Sequence, residues 1–227
     1  MTPPPVDPVL LGSIEEKLRA DLRPVRPRPA AGVLAAMLVA ITAAVALWGA
    51  RSFGFYGWRK LGAGAAMAIF VPLLTAVAIL AIAAVRAKIP GARRIAHPAV
   101  LLAAACGLMV VVFTAAFPDH RTDGFVRQGW PCLRAGLMWA GPAGLAMWVV
   151  LRRGFAVDRR AAGVAIGGLA GLAGLTMLEL HCPNFRLAHI ALWHTAVVPI
   201  AAGVGYVLGL KRRSTPTFSA RSAAPPS

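Results

Sequence analysis

Six long stretches of the chain contain no Asp, Glu, Lys or Arg, and they indicate its architecture. They run through residues 31–50, 61–85, 95–117, 135–151, 161–178 and 187–210. A helix of about 17 to 25 apolar residues crosses the ~30 Å hydrocarbon core of a bilayer. None of the stretches alternates apolar and polar residues as a barrel strand does, and a helix satisfies its backbone amides internally. The pattern predicts an all-α, polytopic membrane protein with a six-transmembrane-helix bundle.

The residues before the first span carry a shorter helical pattern. Its apolar stripe consists of Leu11, Ile14, Leu18 and Leu22. These spacings of three, four and four place the stripe on one helical face. Ser13 followed by Glu16 predicts a capping box at the start of this helix, and Pro24 predicts its end. A stripe this short forms no core of its own, so it must lie on the membrane, contact the other cytoplasmic loops or dock into the groove of a partner protein. Glu15, Glu16 and Asp21 argue against an anionic lipid surface, which favours docking into a partner.

Composition supports an integral membrane protein. The chain is 58% hydrophobic and only 14% charged, and its mean hydropathy is +0.68. The net charge of +16 is dispersed over short loops rather than gathered on one domain face. We therefore expect contact with the lipid bilayer and no direct binding of nucleic acid.

The Lys and Arg residues predict the orientation of the bundle. Of 24 such residues, 17 flank the spans on the face of the N-terminus and seven lie on the opposite face. Cationic residues are retained on the cytoplasmic side, so both termini are predicted to be cytoplasmic, in the inner membrane of a bacterium. The predicted domains are a cytoplasmic tail at 1–30, a transmembrane sensor bundle at 31–210 and a disordered cytoplasmic C-terminal tail at 211–227.

Thiol and imidazole groups are concentrated on the predicted non-cytoplasmic face. Residues 181–194 contain one cysteine and three histidines, and Pro131-Cys132 lies in the preceding loop on the same face. The candidate sensor residues are Cys132, Cys182, His181, His189, His194 and Glu179. The candidate metal ligands among them are Cys132, Cys182, His181 and His189. Pro131 at a predicted helix start would place Cys132 where the helix dipole lowers a thiol pKa.

Three interpretations of this cluster remain open. It is a switchable thiol or a site for a soft or borderline metal ion such as zinc, copper or cadmium. Alternatively, Cys132 and Cys182 form a static disulfide. In the third interpretation the residues share no role. No acidic partner or oxyanion donor can be placed, so no catalytic residue is predicted, and no cofactor is expected beyond the metal ion.

The bundle interior yields two further predictions. Gly163, Gly167 and Gly171 recur at intervals of four, which predicts close packing of two helix backbones. Cys106 lies in the middle of the third span and is expected to be inert packing.

Several of these motifs together resemble those of a known family. They are Ala20-Asp21-Leu22-Arg23-Pro24-Val25-Arg26-Pro27 before the first span, Pro131-Cys132 at the fourth, and His181-Cys182-Pro183 with His189 and Trp193-His194. The chain resembles the NrsF-type membrane anti-sigma factors, six-helix bacterial proteins that hold an extracytoplasmic-function sigma factor at the inner membrane. The resemblance implies that the tail binds sigma, and that Cys132 and Cys182 report periplasmic stress, metal or oxidant.

The resemblance and the stripe together define the predicted partner-binding residues. They are Leu11, Ile14, Leu18, Asp21, Leu22, Arg23, Pro24 and Arg26. The competing hypotheses are a membrane thiol:quinone oxidoreductase of the periplasmic face and a structural or assembly partner of another membrane complex. Such an enzyme needs two cooperating thiol pairs, and only one pair is predicted to face outward, so a non-enzymatic regulator is favoured.

Overall fold

Helices account for the fold in the computed structural model of this chain, which describes residues 7–21, 29–89, 91–92, 96–152 and 158–211. No strand occurs within these ranges. The helices are α1 Pro8–Asp21, α2 Ala31–Phe53, α3 Tyr56–Lys60, α4 Ala63–Arg86, α5 Pro98–Ala116, α6 Phe125–Leu151, α7 Arg159–His181, α8 Leu187–His189, a π-helix at Ile190–His194 and α9 Val197–Lys211. The predicted all-α class is confirmed.

Among the described residues, six helices are long and apolar enough to cross a membrane. They are α2, α4, α5, α6, α7 and the helix Leu187–Leu210, which joins α8, the π-helix and α9 and is called the last span below. The prediction of six spans is confirmed, and the chain is a multi-pass membrane protein.

The chain divides into two compact units, Met1–Ala30 and Ala31–Ser227. In the first unit, α1 begins at Pro8, because the Asp7 carboxylate accepts a hydrogen bond of 2.9 Å from the backbone N–H of Val9. Proline is favoured at the first position of a helix, where its missing N–H is not needed. The predicted start at Ser13 is therefore wrong, since Ser13 and Glu16 lie inside the helix.

The fourth span, α6, begins ten residues before the predicted segment 135–151. The additional turns at its N-terminal end contain Arg127 and Arg134, so they were not part of the uncharged segment predicted from the sequence. A helix can continue past the hydrocarbon core, because charged side chains are solvated there. Cys132 consequently lies seven residues after the helix begins, and the argument that a helix start activates its thiol is wrong, since the dipole acts mainly within the first turn.

Helix α7 lies at the centre of the bundle, where nearly all of its residues are buried. Its glycines contact the last span backbone to backbone. A Cβ added at Gly171 would lie 2.6 Å from Val198 Cα, and one at Gly163 would collide with the carbonyl oxygen of Gly205. The close packing predicted from the glycine spacing is confirmed.

Three connections meet at one end of the bundle. The backbone N–H of Leu187 donates a 2.9 Å hydrogen bond to the carbonyl of Asp119, which joins the connections 117–124 and 182–186. His181 Nδ1 donates a 2.9 Å hydrogen bond to the carbonyl of Gly54, which brings the connection 54–55 to the same end. This end holds all of the cysteine and histidine candidates.

Candidate functional site

Two thiols and an imidazole meet between α6, the end of α7 and the last span. The sulfur atoms of Cys132 and Cys182 are 3.7 Å apart, and Cys182 Sγ lies 3.5 Å from His189 Nε2. Both cysteines are free thiols, and Cys182 is only 5% exposed. The contact with the Cys132 thiol, together with burial, raises the pKa of Cys182 above its ordinary value.

A buried carboxylate pairs with the second histidine of the last span. His194 Nδ1 donates a 2.8 Å hydrogen bond to Glu179 Oε1, and both side chains are buried. The His189 and His194 rings pack edge to face with centroids 5.1 Å apart. Within the described part of the chain, His194 Nε2, His189 Nδ1 and Glu179 Oε2 have no hydrogen-bond partner. His194 Nε2 is therefore free to act as a ligand, while His189 presents its other ring nitrogen, Nε2, to Cys182.

Cys132, Cys182, His189 and His194 form a group that could hold a metal ion. Each residue offers one ligand atom, and these four atoms all lie within 4.8 Å of one another. Two thiolates and two imidazoles suit zinc and other soft or borderline ions. Below, this group is called the Cys/His cluster.

The π-helix brings the two histidines together. In an α-helix, residues five apart are separated by about 140° around the axis, since each residue turns about 100°. At Ile190–His194 the backbone instead closes an i to i+5 turn, in which the N–H of Thr195 donates to the carbonyl of Ile190 at 3.4 Å. The wider turn places residues five apart on nearly the same side, and such turns are frequent at functional sites. Sequence reasoning did not identify this turn, although the spacing of five between His189 and His194 was its signal.

His181 lies outside the Cys/His cluster. Besides its hydrogen bond to the Gly54 carbonyl, its ring lies against Phe53 and Tyr56 at centroid distances of 5.3 and 5.9 Å. His181 therefore connects the end of α7 to the connection after α2. The group differs from the predicted metal ligands in having His194 in place of His181.

The connections 117–124 and 182–186 contact each other through side chains at the cluster end of the bundle. The rings of Phe117 and Phe185 are stacked at 5.2 Å. Arg186 donates a hydrogen bond to the carbonyl of Asp123, at 2.6 Å. Asp119 accepts two side-chain hydrogen bonds from Arg121, and these lower the Asp119 pKa from 3.8 to about 2. These contacts lie at the same end of the bundle as Cys182, and sequence reasoning did not identify them.

A tryptophan of the last span packs against α6, three residues before Cys132. A Cβ added at Gly129 of α6 would collide with the Trp193 indole ring, and the Phe125 ring lies 5.3 Å from that ring. Trp130 is exposed, which fits an interfacial position. Cys106 is half-buried and packs against the core, away from the other thiols.

The predicted partner-binding residues lie on α1 and just beyond it. Leu11, Ile14 and Leu18 are 52%, 45% and 62% exposed. Asp21 is the last residue of α1. Leu22, Arg23, Pro24 and Arg26 lie outside the described residues.

Comparison with known protein families matches the family described as NrsF, Negative regulator of sigma F, over residues 18–212. No curated protein and no solved structure matches the chain.

Proposed function

The chain belongs to the NrsF family of negative regulators of sigma F, and on this premise we propose that it is a membrane anti-sigma factor. It sequesters an extracytoplasmic-function sigma factor through residues 1–30 and releases it when the Cys/His cluster senses metal or oxidant. Membership of a family of regulators also favours a protein that is not an enzyme.

The observation that carries this proposal is the extent of the family match. Residues 18–212 include the end of α1, the segment with Leu22, Arg23, Pro24 and Arg26, all six spans and the Cys/His cluster. The match supports the proposal because it joins part of the proposed partner-binding segment, from residue 18 onward, to the proposed sensing bundle in one family unit.

The first step is the docking of sigma on α1. Large aliphatic side chains at Leu11, Ile14 and Leu18 are exposed along one face of the helix. An amphipathic helix of this kind binds by laying its apolar face into a hydrophobic groove. Residues Leu22, Arg23, Pro24 and Arg26 would extend the contact along the sigma factor.

The second step is the separation of sensor and partner by the membrane. The excess of Lys and Arg on the face of the termini supports a cytoplasmic location for both termini, in a bacterial inner membrane. The Cys/His cluster lies at the other end of the bundle from the start of α2, so it would face the periplasm. Stress outside the cytoplasm would then reach sigma only through the spans.

The third step is the coupling of the cluster to the spans. Cys132 belongs to α6, Cys182 follows α7, and His189 and His194 belong to the last span. A new bond among these atoms therefore changes how three elements pack. Shifting a two-state equilibrium from 99:1 to 1:99 requires about 5.5 kcal/mol. A thiol couple supplies about 1.4 kcal/mol per 30 mV, so a change of about 120 mV is sufficient.

Capture of sigma tests the first step. The purified chain in detergent would be titrated with a fluorescently labelled extracytoplasmic-function sigma factor from the same genome. Leu18→Glu puts a charge on the apolar stripe, and Ala20→Glu puts the same charge on the opposite face, about 200° away. We expect Leu18→Glu to weaken binding at least tenfold and Ala20→Glu to leave it unchanged. Equal binding by both variants would contradict docking through the stripe.

Release tests the third step. A reporter driven by the sigma factor would be followed in cells after cadmium or peroxide treatment. Cys132→Ser and Cys182→Ser are expected to uncouple the reporter from both stresses without reducing the amount of protein in the membrane. Cys106→Ser is the matched control, because Cys106 lies away from the cluster, and it should respond normally. Normal induction in both cluster variants would exclude the thiols as sensors.

A further inference from the structure

We propose that Cys132, Cys182, His189 and His194 are the complete first coordination sphere of one thiophilic d10 divalent ion, of which Zn²⁺ is the ordinary member. This deepens the proposed function by naming the ligand set and the ion class, and only the regulatory meaning of the site rests on that function. The set includes His194 and excludes His181.

The distances already present match a tetrahedral ion. Zinc binds cysteine sulfur at about 2.3 Å and histidine nitrogen at about 2.0–2.1 Å, so a tetrahedron has edges of about 3.8 Å between sulfurs and about 3.6 Å between sulfur and nitrogen. The Cys132 and Cys182 sulfurs are 3.7 Å apart, and Cys182 Sγ lies 3.5 Å from His189 Nε2. The remaining ligand atoms lie within 4.8 Å, so they need only a small contraction.

Glu179 prepares His194 as the fourth ligand. The carboxylate accepts the Nδ1–H of His194 at 2.8 Å, which fixes the tautomer and leaves Nε2 as the metal-binding nitrogen. Among the described residues, this nitrogen has no hydrogen-bond partner, although the side chain is only 1% exposed. A carboxylate behind a metal-binding histidine orients the ring and raises its basicity. Glu179 is thus a positioning residue, not a ligand.

Charge also favours a divalent ion in this buried position. Binding releases the two thiol protons to solvent, and the two thiolates then cancel the charge of the ion, which removes most of the cost of burying it. Four protein ligands leave no open position, as in zinc sites that organise structure rather than catalyse. The ion would join α6, the residue after α7 and the last span across the π-helix.

Binding of zinc to the purified full chain in detergent, without sigma, tests this site. We expect one Zn²⁺ per chain, and Co²⁺ as a probe should give the intense visible absorption of a tetrahedral thiolate site. His194→Ala should abolish stoichiometric binding, whereas His181→Ala should retain it, since His181 lies outside the set. Glu179→Gln should weaken binding 10- to 100-fold, about the usual effect of removing such a supporting carboxylate.

A measurement on the unaltered chain guards against variants that fail to fold. Zn²⁺ should protect Cys132 and Cys182 from alkylation by a small maleimide, while Cys106 reacts at the same rate with or without the ion. Absence of stoichiometric zinc in the native chain, or binding that survives His194→Ala and is lost in His181→Ala, would overturn the proposed site. Neither result depends on sigma, so failure of this site and failure of sigma capture are separable.

Discussion

His194 shows how much one buried residue depends on its partners. Its Nδ1 contacts the Glu179 carboxylate at 2.8 Å, and its ring packs against His189. Both members of the acid–imidazole pair are buried, so removing one would leave the other unsatisfied, at a cost of several kcal/mol. This pairing gives His194 a fixed orientation, which a histidine exposed to solvent would lack.

Asp119 gives a pH prediction at the residue scale. Its hydrogen bonds from Arg121 lower the Asp119 pKa from 3.8 to about 2. Because the folded-state pKa is depressed, the stabilisation from this pair is fully present above the ordinary pKa and is lost as the pH falls through about 2. A ¹³C-carboxyl titration of the chain in detergent should place the Asp119 midpoint near 2.

Arg121→Gln provides the control for this titration. The variant removes the charged donors of both side-chain hydrogen bonds, so the Asp119 pKa should rise toward its ordinary value. A midpoint near 3.8 in the unaltered chain would show that the pair does not persist in solution.

At the scale of elements, the π-helix and the glycine stripe of α7 determine how the last span packs against the rest of the bundle. The π-helix at Ile190–His194 sets the direction of the two histidines, and the glycines of α7 allow the backbone of α9 to approach. A site built across helices needs a shared face for its histidines and a close approach of its helices, because ligand atoms must meet within about 4 Å.

Deleting Ala191 tests the role of the π-helix. A π turn contains one residue more than an α-helical turn, so the deletion should restore regular helix. His189 and His194 would then be four residues apart, about 40° around the axis, and would still share one face. We expect the variant to insert, to remain helical by circular dichroism and to keep stoichiometric zinc binding. Deleting Ala201 in the regular part of α9 controls for shortening the span. Loss of zinc binding in the Ala191 deletion alone would show that the π geometry itself is required, and not only a shared face for the two histidines.

Gly171→Ala tests the glycine stripe. The new Cβ would lie 2.6 Å from Val198 Cα, so the helices must separate, and overpacking of this kind costs about 1–3 kcal/mol of unfolding free energy. Gly203→Ala is the matched control in the last span, since nothing lies within 4 Å of its added Cβ. Thermal unfolding in detergent should show a clear loss of stability for the first variant alone. Equal midpoints would contradict tight packing at Gly171.

At the scale of the whole molecule, the ends of the bundle differ in chemistry. One end contains the Cys/His cluster and the connections 117–124 and 182–186, which contact each other. The Lys and Arg residues concentrate toward the other end in the sequence. The proposed function therefore predicts that the two ends of the bundle face different compartments.

Labelling of single cysteines tests the proposed orientation. In a chain with its three cysteines replaced by serine, His120→Cys puts a thiol in the exposed connection before α6, and Arg152→Cys puts one in the exposed position after it. A membrane-impermeant maleimide added to spheroplasts should label position 120 and leave position 152 unlabelled until the membrane is broken. The opposite pattern would place the Cys/His cluster in the cytoplasm.

The sequence by itself determined the six spans, the helical class and the close approach along Gly163, Gly167 and Gly171. These features follow from local rules, because lipid requires long uncharged helices and small residues permit contact. It also drew attention to Cys132 and Cys182, since thiols are rare in so apolar a chain.

Only the tertiary structure decided which atoms meet. Segment prediction began the fourth span only after its charged residues, so it placed Cys132 at a helix start instead of within α6. It grouped His181 with Cys182 because they are adjacent in the chain, yet the last residue of α7 points to Gly54, and the π-helix brings His194 to the sulfurs instead. Contacts between residues far apart depend on helix register and rotation, which spacing along one helix does not fix.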